Sequence, residues 1–212
     1  MPFPAGMSDM TDRGLVYIVD DDPDVRESLS IRLKTAGYTT KAFATAREFL
    51  AGYVPGAGCL ILDLHLPDID GLELQRHLTD NSKALPVIVI TAYPELAIAV
   101  EAMKLGALDF IAKPFDDEIL LARVAQALEK SQAAFEDAIL RSDARTRLES
   151  LTAREKQVLA RVASGASSRM IASDLGISQR TVEVHRANIM HKAKVQNLAE
   201  LLQLASWAGL LR

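Results

Sequence analysis

Four apolar runs in the first half of the chain end in residues that could act together. LVYIVDDD (15–22) ends in Asp20, Asp21 and Asp22, and CLILD (59–63) ends in Asp63. PVIVITA (86–92) carries the hydroxyl of Thr91 at its end, and LDFIAKP (108–114) closes on Lys113 and Pro114. The stretch Cys59–Leu62 is too short for a helix and typical of a strand buried on both faces. Taken alone, Asp63 reads as a residue that caps a loop. Taken with the others it belongs to a set: acids, one hydroxyl and one lysine, all at strand ends. Carboxylates gathered at one edge repel one another unless a hard cation neutralises them, and oxygen-only ligands suit Mg²⁺. A metal and a lysine would also neutralise a phosphoryl group on Asp63, with Thr91 donating a hydrogen bond to it. Aspartate is a competent phosphoryl acceptor.

For those ends to meet, the strands must lie side by side, with chemistry just past their carboxyl edges. The intervening segments allow it. Pro23 opens a helix over 23–36 with Val25, Leu29 and Leu33 on one face, and Gly37 stops it. Proline suits a first turn, whose amides lack partners anyway. YTTKAF (38–43) reads as a strand, a short helix follows near 45–51, and a Gly/Pro loop (52–58) leads to the run ending in Asp63. Gly71 begins a helix with Leu72, Leu74 and Leu78; residues 95–105 form another that stops at Gly106, and a fifth starts near Asp116. Strand and helix alternating in this way predict a doubly wound parallel sheet.

Residues 14–130 resemble a receiver domain of two-component response regulators, on the Asp20–Asp21 pair, Asp63 within DLHLP, Thr91 and Lys113–Pro114. The resemblance implies a flavodoxin-like five-stranded sheet in the order 2-1-3-4-5 and a phosphoryl group passed to Asp63 by a histidine kinase. It implies Mg²⁺ on Asp21, Asp63 and the backbone carbonyl of His65, with Asp20 close by, and a cis Lys113–Pro114 peptide. Thr91 and Lys113 would steady the phosphoryl group. Phe110 matches the aromatic switch position, unless it merely packs. Val100 and Lys104, one helical turn apart, fall on the surface that dimerises in such regulators. TAYPE at 91–95 departs from the common TGHGD, placing Tyr93 and Pro94 in the loop that carries the switch.

Residues 115–148 contain neither proline nor glycine, and Leu121, Ala125, Leu128, Gln132, Phe135 and Ile139 repeat at heptad spacing. Either the fifth helix runs on as a linker over 131–148, able to pair with another chain, or its seam packs on its own domain to about residue 130 and then frays. Beyond it, Thr152 and Glu155 form a capping box, SSRMIASDL (167–175) is a short helix stopped at Gly176, and Ser178 caps the next. Two short helices joined by GIS make a helix-turn-helix pattern. At 100° per residue Val182, Ile189 and Ala193 face inward, while Glu183, Val184, Ala187, Asn188 and His191 face out. Arg169, Arg180, Arg186, Lys192 and Lys194 surround that outer face, fit for phosphates. In the last helix (197–208) Leu198, Leu201, Leu202 and Ala205 read as buried. Leu204 and Trp207 are left for a contact between copies, unless Trp207 is core.

This second half, 149–212, resembles the LuxR-type DNA-binding domain, on LTAREKQVL, GASSRMIASDLGIS and TVEVHRANIMHKAKV. The whole chain thus resembles a FixJ/NarL-type response regulator. Family base contacts fall on Glu183, Val184 and Ala187, none a long base, with Arg169, Arg180, Thr181, Asn188 and Lys192 beside them; readout by apolar contact and shape is expected. Ser168 stands where Asn is usual, and Glu183 where Lys is common.

Charge and composition agree with that division. Residues 1–130 hold 20 acids and 12 bases, residues 131–212 hold 8 and 12, so an acidic half precedes a basic one. The sole cysteine, Cys59, excludes an internal disulfide and fits a reducing cytoplasm. No run approaches a membrane span, and residues 1–13 read as a disordered lead without the core of a signal peptide. His185 and His191 lack a third ligand for zinc.

The expected protein is a cytoplasmic transcription regulator, not an enzyme beyond possible self-dephosphorylation. Its expected partners are a sensor kinase, promoter DNA, RNA polymerase and, once phosphorylated, a second copy of itself. The rivals are a constitutive DNA-binding regulator whose receiver serves interaction, and an aspartate-nucleophile phosphatase. The latter would want a second Asp where His65 stands.

Overall fold

The structure, a computed structural model, describes residues 12–80 and 85–210; the expected amino-terminal lead lies outside them except for its last two residues. The chain divides into two compact units, one up to Phe135 and one from Glu136 onward. The first alternates β1 (Leu15–Val19), α1 (Pro23–Thr35), β2 (Thr39–Phe43), α2 (Ala46–Gly52), β3 (Cys59–Asp63), α3 (Gly71–Asp80), β4 (Val87–Thr91), α4 (Leu96–Lys104) and β5 (Asp109–Ala112). Helix α5 (Asp117–Glu149) follows, then α6 (Ala153–Ala163), α7 (Ser168–Leu175), α8 (Gln179–Ala193) and α9 (Leu198–Trp207).

All strand pairs are parallel, in the order β2-β1-β3-β4-β5. Every residue of β3 and β4 is buried, which is why their sequences are apolar up to the Asp63 and Thr91 that end them instead of alternating. Successive side chains serve opposite faces. Ile18, Ile61 and Ile88 pack with Leu29 and Leu33 of α1 and Val124 of α5. Tyr17, Leu60 and Leu62 pack with Phe49 of α2 and Leu74 and Leu78 of α3. Each fully buried Leu or Ile contributes roughly 2 kcal/mol, against about 1 kcal/mol for a helix cap. The central strands therefore fix where the ends of β3 and β4 lie, and the caps refine the loops between.

Helix α5 departs from the expected seam by one residue. Its buried side in the first unit is Leu120, Val124, Ala127, Leu128 and Ser131, with Leu121 and Ala125 at the border. Residues 132–143 are all exposed, Phe135 and Ile139 included, and burial resumes with Ala144 and Leu148 in the second unit. Within the first unit the buried face of α5 is the one that packs against the sheet.

The second unit is all-helical, its core formed by Leu148, Val158, Leu159, Ile171, Val182 and Ile189 among others. The capping box of Thr152 and Glu155 is present, as are the N-caps Ser167 and Ser178. Gly176 closes α7 in the left-handed region at φ 64°, a conformation cheap only for glycine. Helix α9 corrects three assignments. Leu204 is buried at 3 % and Leu198 is exposed at 42 %, because Asn197 caps the helix and leaves Leu198 in its first turn at the surface. Trp207 is exposed at 36 %, not core.

Candidate phosphoryl-acceptor site and nucleic-acid interface

The three successive acids after β1 are put to different uses. Asp22 is the N-cap of α1, accepting from the amides of Asp24 and Val25. Asp20 is fully buried and accepts the amide of Asp22 at 3.0 Å. Asp21 is exposed, and its carboxylate lies with those of Asp20 and Asp63 so that one oxygen from each falls within 4.8 Å of the others. Parallel register delivers Asp63 to this place, since β3 lies directly beside β1 with Leu62 opposite Val19. Gly71 is required just beyond it: a Cβ there would stand 2.5 Å from the Asp63 carbonyl oxygen.

Lys113 closes the site. Its ammonium donates to Asp20 Oδ2 and Asp63 Oδ2, each at 2.7 Å, after the cis Lys113–Pro114 peptide turns the chain away. Burial disfavours the charge on Asp20 and raises its pKa, despite the lowering effect of Lys113. Burial alone would lower the Lys113 pKa, but its bonds to Asp20 and Asp63 outweigh that and raise it. Three carboxylates face one ammonium, an imbalance that a divalent cation would correct, and oxygen donors at this spacing fit Mg²⁺.

Thr91 is fully buried at the end of β4, its hydroxyl accepting the Tyr93 amide at 3.1 Å. Phe110 is half-buried on the α3/α4 side of the sheet. On α4, Val100 and Lys104 are both exposed and line a shallow apolar hollow with Ala99 and Met103. His65 lies beside the departing loop, its ring meeting that of Tyr93 edge-on at 5.4 Å between centroids. Its amide donates to Asp63 Oδ1 at 3.3 Å.

Two contributors escaped the sequence. Arg26, from α1, donates to the Asp20 carbonyl at 2.7 Å and so braces the acidic turn. Asp68, in the loop after β3, accepts the amides of Ala46 and Arg47 at the start of α2. The Arg26 contact spans only six residues but follows no capping or periodic pattern, while the partners of Asp68 lie 21 and 22 positions away and are brought together by the fold.

In the second unit the outer face of α8 presents Glu183, Val184, Ala187, Asn188 and His191, all exposed, flanked by exposed Arg169 and Arg180. Thr181 is half-buried, sharing a hydrogen bond of 2.8 Å with Ser178. Lys192, expected on the phosphate-facing rim, is half-buried. Its ammonium reaches Glu155 Oε2 at 2.7 Å, joining α8 to the capping box of α6. Arg186 is likewise engaged, donating to the Ser168 hydroxyl at 3.2 Å. Serine where asparagine is usual thus anchors an arginine of α8. Among the described residues Arg169, Arg180 and Lys194 are exposed and form no ion pair, which leaves them as open cations of this face.

Comparison with known proteins agrees with both halves. Residues 16–125 match the response regulator receiver domain, and residues 149–205 match the bacterial regulatory proteins of the luxR family. The transcriptional regulatory protein FixJ of Rhizobium meliloti (strain 1021) is 45 % identical over 196 residues, 92 % of this chain and 96 % of that protein. FixJ of Bradyrhizobium diazoefficiens is 39 % identical over 204 residues, 95 % of this chain and 99 % of its own. Among solved structures, the response regulator StyR superposes with a TM-score of 0.82 at 39 % identity, covering 91 % of this chain and 98 % of its own.

Proposed function

This chain belongs to the FixJ-type response regulators, transcription factors that join a receiver to a LuxR-type DNA-binding domain, and from that premise we propose how its residues do the work. The receiver comprises 14–130, the linker 131–148 and the DNA-binding domain 149–212. A carboxylate oxygen of Asp63 attacks the phosphorus of a phosphohistidine on a sensor kinase. The new P–O bond forms as the P–N bond breaks, and the imidazole leaves. The observation that carries this reading is the convergence of Asp20, Asp21 and Asp63 on one another, with Lys113 bonded to two of them.

Asp21, Asp63 and the His65 carbonyl, with Asp20 close by, would hold Mg²⁺, which when bound neutralises charge developing on the phosphoryl oxygens. Lys113 exchanges part of its bonding to Asp63 for a phosphoryl oxygen, and Thr91 turns its hydroxyl to another. Withdrawal of Thr91 from the Tyr93 amide leaves room that Phe110 enters, and the α4 surface around Val100 and Lys104 pairs with a second copy. Two linked helix-turn-helix units then bind two half-sites, so modest dimerisation yields a large gain through effective concentration. Val184 and Ala187 read base edges by apolar contact, Glu183, Thr181 and Asn188 flank them, and Arg169 and Arg180 hold phosphates. The protein works in the cytoplasm with RNA polymerase as its downstream partner, and water slowly removes the phosphoryl group.

The test is incubation with Mg²⁺ and acetyl phosphate. A hydroxylamine-labile acyl phosphate is expected on the wild type and none on Asp63→Ala. Equal labelling of both would refute the assignment of Asp63.

A further inference from the structure

We propose that Asp68 is a positioning residue for the phosphoryl-acceptor site, anchoring the loop of 64–70 to helix α2 so that His65, whose amide donates to Asp63 Oδ1 at 3.3 Å, keeps its place and can offer its carbonyl to the metal. The proposal rests on the metal-site reading above and adds a residue to it. Its carboxylate is bidentate: Oδ1 accepts the Ala46 amide at 3.1 Å and Oδ2 the Arg47 amide at 2.9 Å.

A capping role for α2 alone does not account for this. That helix has a cap of its own, Thr45, whose hydroxyl accepts the Glu48 amide at 3.1 Å, while Glu48 reaches back to the Ala44 amide at 2.9 Å. Asp68 adds a bond from a different part of the chain, and its effect falls on the loop that supplies it.

That loop needs an anchor. Its backbone ties are short-range: Leu66 N to Leu64 O at 3.2 Å and Gly71 N to Leu64 O at 2.9 Å. Leu66 and Ile69 pack only partly into the core. The loop and Asp21 together line one open cavity of about 390 Å³, so a shift of the loop changes the space beside Asp21. The Asp68 side chain is only 13 % exposed. Burial alone would raise its pKa, but the amide bonds prevail and hold it below the usual carboxylate value, as expected of an anchor that stays ionised.

The test is Mg²⁺ titration of the full chain, followed by the amide resonances of the 63–71 segment, in salt high enough to screen charges acting through space. Thr45→Ala serves as the control that weakens α2 without touching the loop. Supporting groups around metal ligands are typically worth 10–100-fold in affinity. We expect Asp68→Ala to weaken Mg²⁺ by about tenfold, the lower end of that range. Asp68→Asn, which keeps one acceptor oxygen, should fall between, and Thr45→Ala should stay within about twofold of wild type. If Asp68→Ala unfolds, Asp68→Asn carries the comparison. Asp68 variants that match wild type, or lose no more than Thr45→Ala, would overturn the proposal. A wild type that shows no Mg²⁺ binding sensitive to Asp21→Asn would instead overturn the metal-site reading, and this inference with it.

Discussion

Each half of this protein holds a buried carboxylate beside a lysine, and the two sites are built to opposite ends. In the second unit Glu155 is 3 % exposed, and its Oε2 accepts from the Thr152 amide, the Thr152 hydroxyl and Lys192. One charge meets one charge. In the first unit Asp20 and Asp63 share Lys113 while Asp21 stands open beside them. The first arrangement is complete and holds helices together. The second leaves three carboxylates facing one ammonium, an excess of negative charge that suits a divalent cation. A buried ion pair alone is thus poor evidence of function, whereas an unbalanced one at a strand edge is good evidence.

The comparison predicts opposite outcomes for the two sites. Glu155→Ala removes the reciprocal half of a capping box and leaves Lys192 unpaired. It should destabilise the second unit by about 2 kcal/mol, less than a fully buried pair would cost because the Lys192 side chain is one-third exposed. Denaturant unfolding of the full chain measures it. Burial would raise the Glu155 pKa, but its bonds to Lys192 and Thr152 lower it. Its contribution is therefore complete above the unfolded carboxylate pKa and is lost as pH falls through the lower folded value. Equal acid stability of wild type and Glu155→Gln would break this half of the comparison.

Asp20→Asn should do the reverse. It removes a buried charge that the site tolerates for its ligand, so in chelator the first unit should gain about 1 kcal/mol, while Mg²⁺ affinity falls. Because burial raises the Asp20 pKa, ionisation of this group opposes folding as pH rises through the window between its unfolded and folded values. A loss of stability in chelator would mean that Asp20 is structural, like Glu155.

A smaller effect separates the cations. Arg180→Ala should leave stability unchanged and reduce the slope of log K against log salt for duplex binding by about one. Lys192→Ala should lower stability and leave that slope nearly intact. Interchanged results would return Lys192 to the phosphate-facing rim.

What the sequence disclosed follows the same division. The ends of β1, β3 and β4 were legible because strands buried nearly throughout are apolar until the chain reaches the sheet edge, so Asp20, Asp63 and Thr91 stand out; Lys113 follows the partly buried β5 and stands out by the proline after it. Caps such as Thr152 and Ser178 were legible because their partners lie within three residues. Asp68 and Lys192 were not: the amides and carboxylate they meet lie 21–22 and 37 positions away, brought near only by packing. The buried seam of α5 was misplaced by one residue because heptad spacing alone does not say whether a helix faces a sheet or a partner helix. Leu198 and Leu204 were interchanged because helical periodicity gives a face without giving the turn at which burial begins.

The most direct test of phosphoryl-controlled assembly is the mass of the full chain by light scattering in Mg²⁺, with and without beryllofluoride, for wild type and Asp63→Ala. The account predicts a monomer that becomes a dimer with beryllofluoride in the wild type alone. A dimer of the same size in all four samples would contradict it, and would move assembly from Asp63 to a surface that phosphorylation does not control.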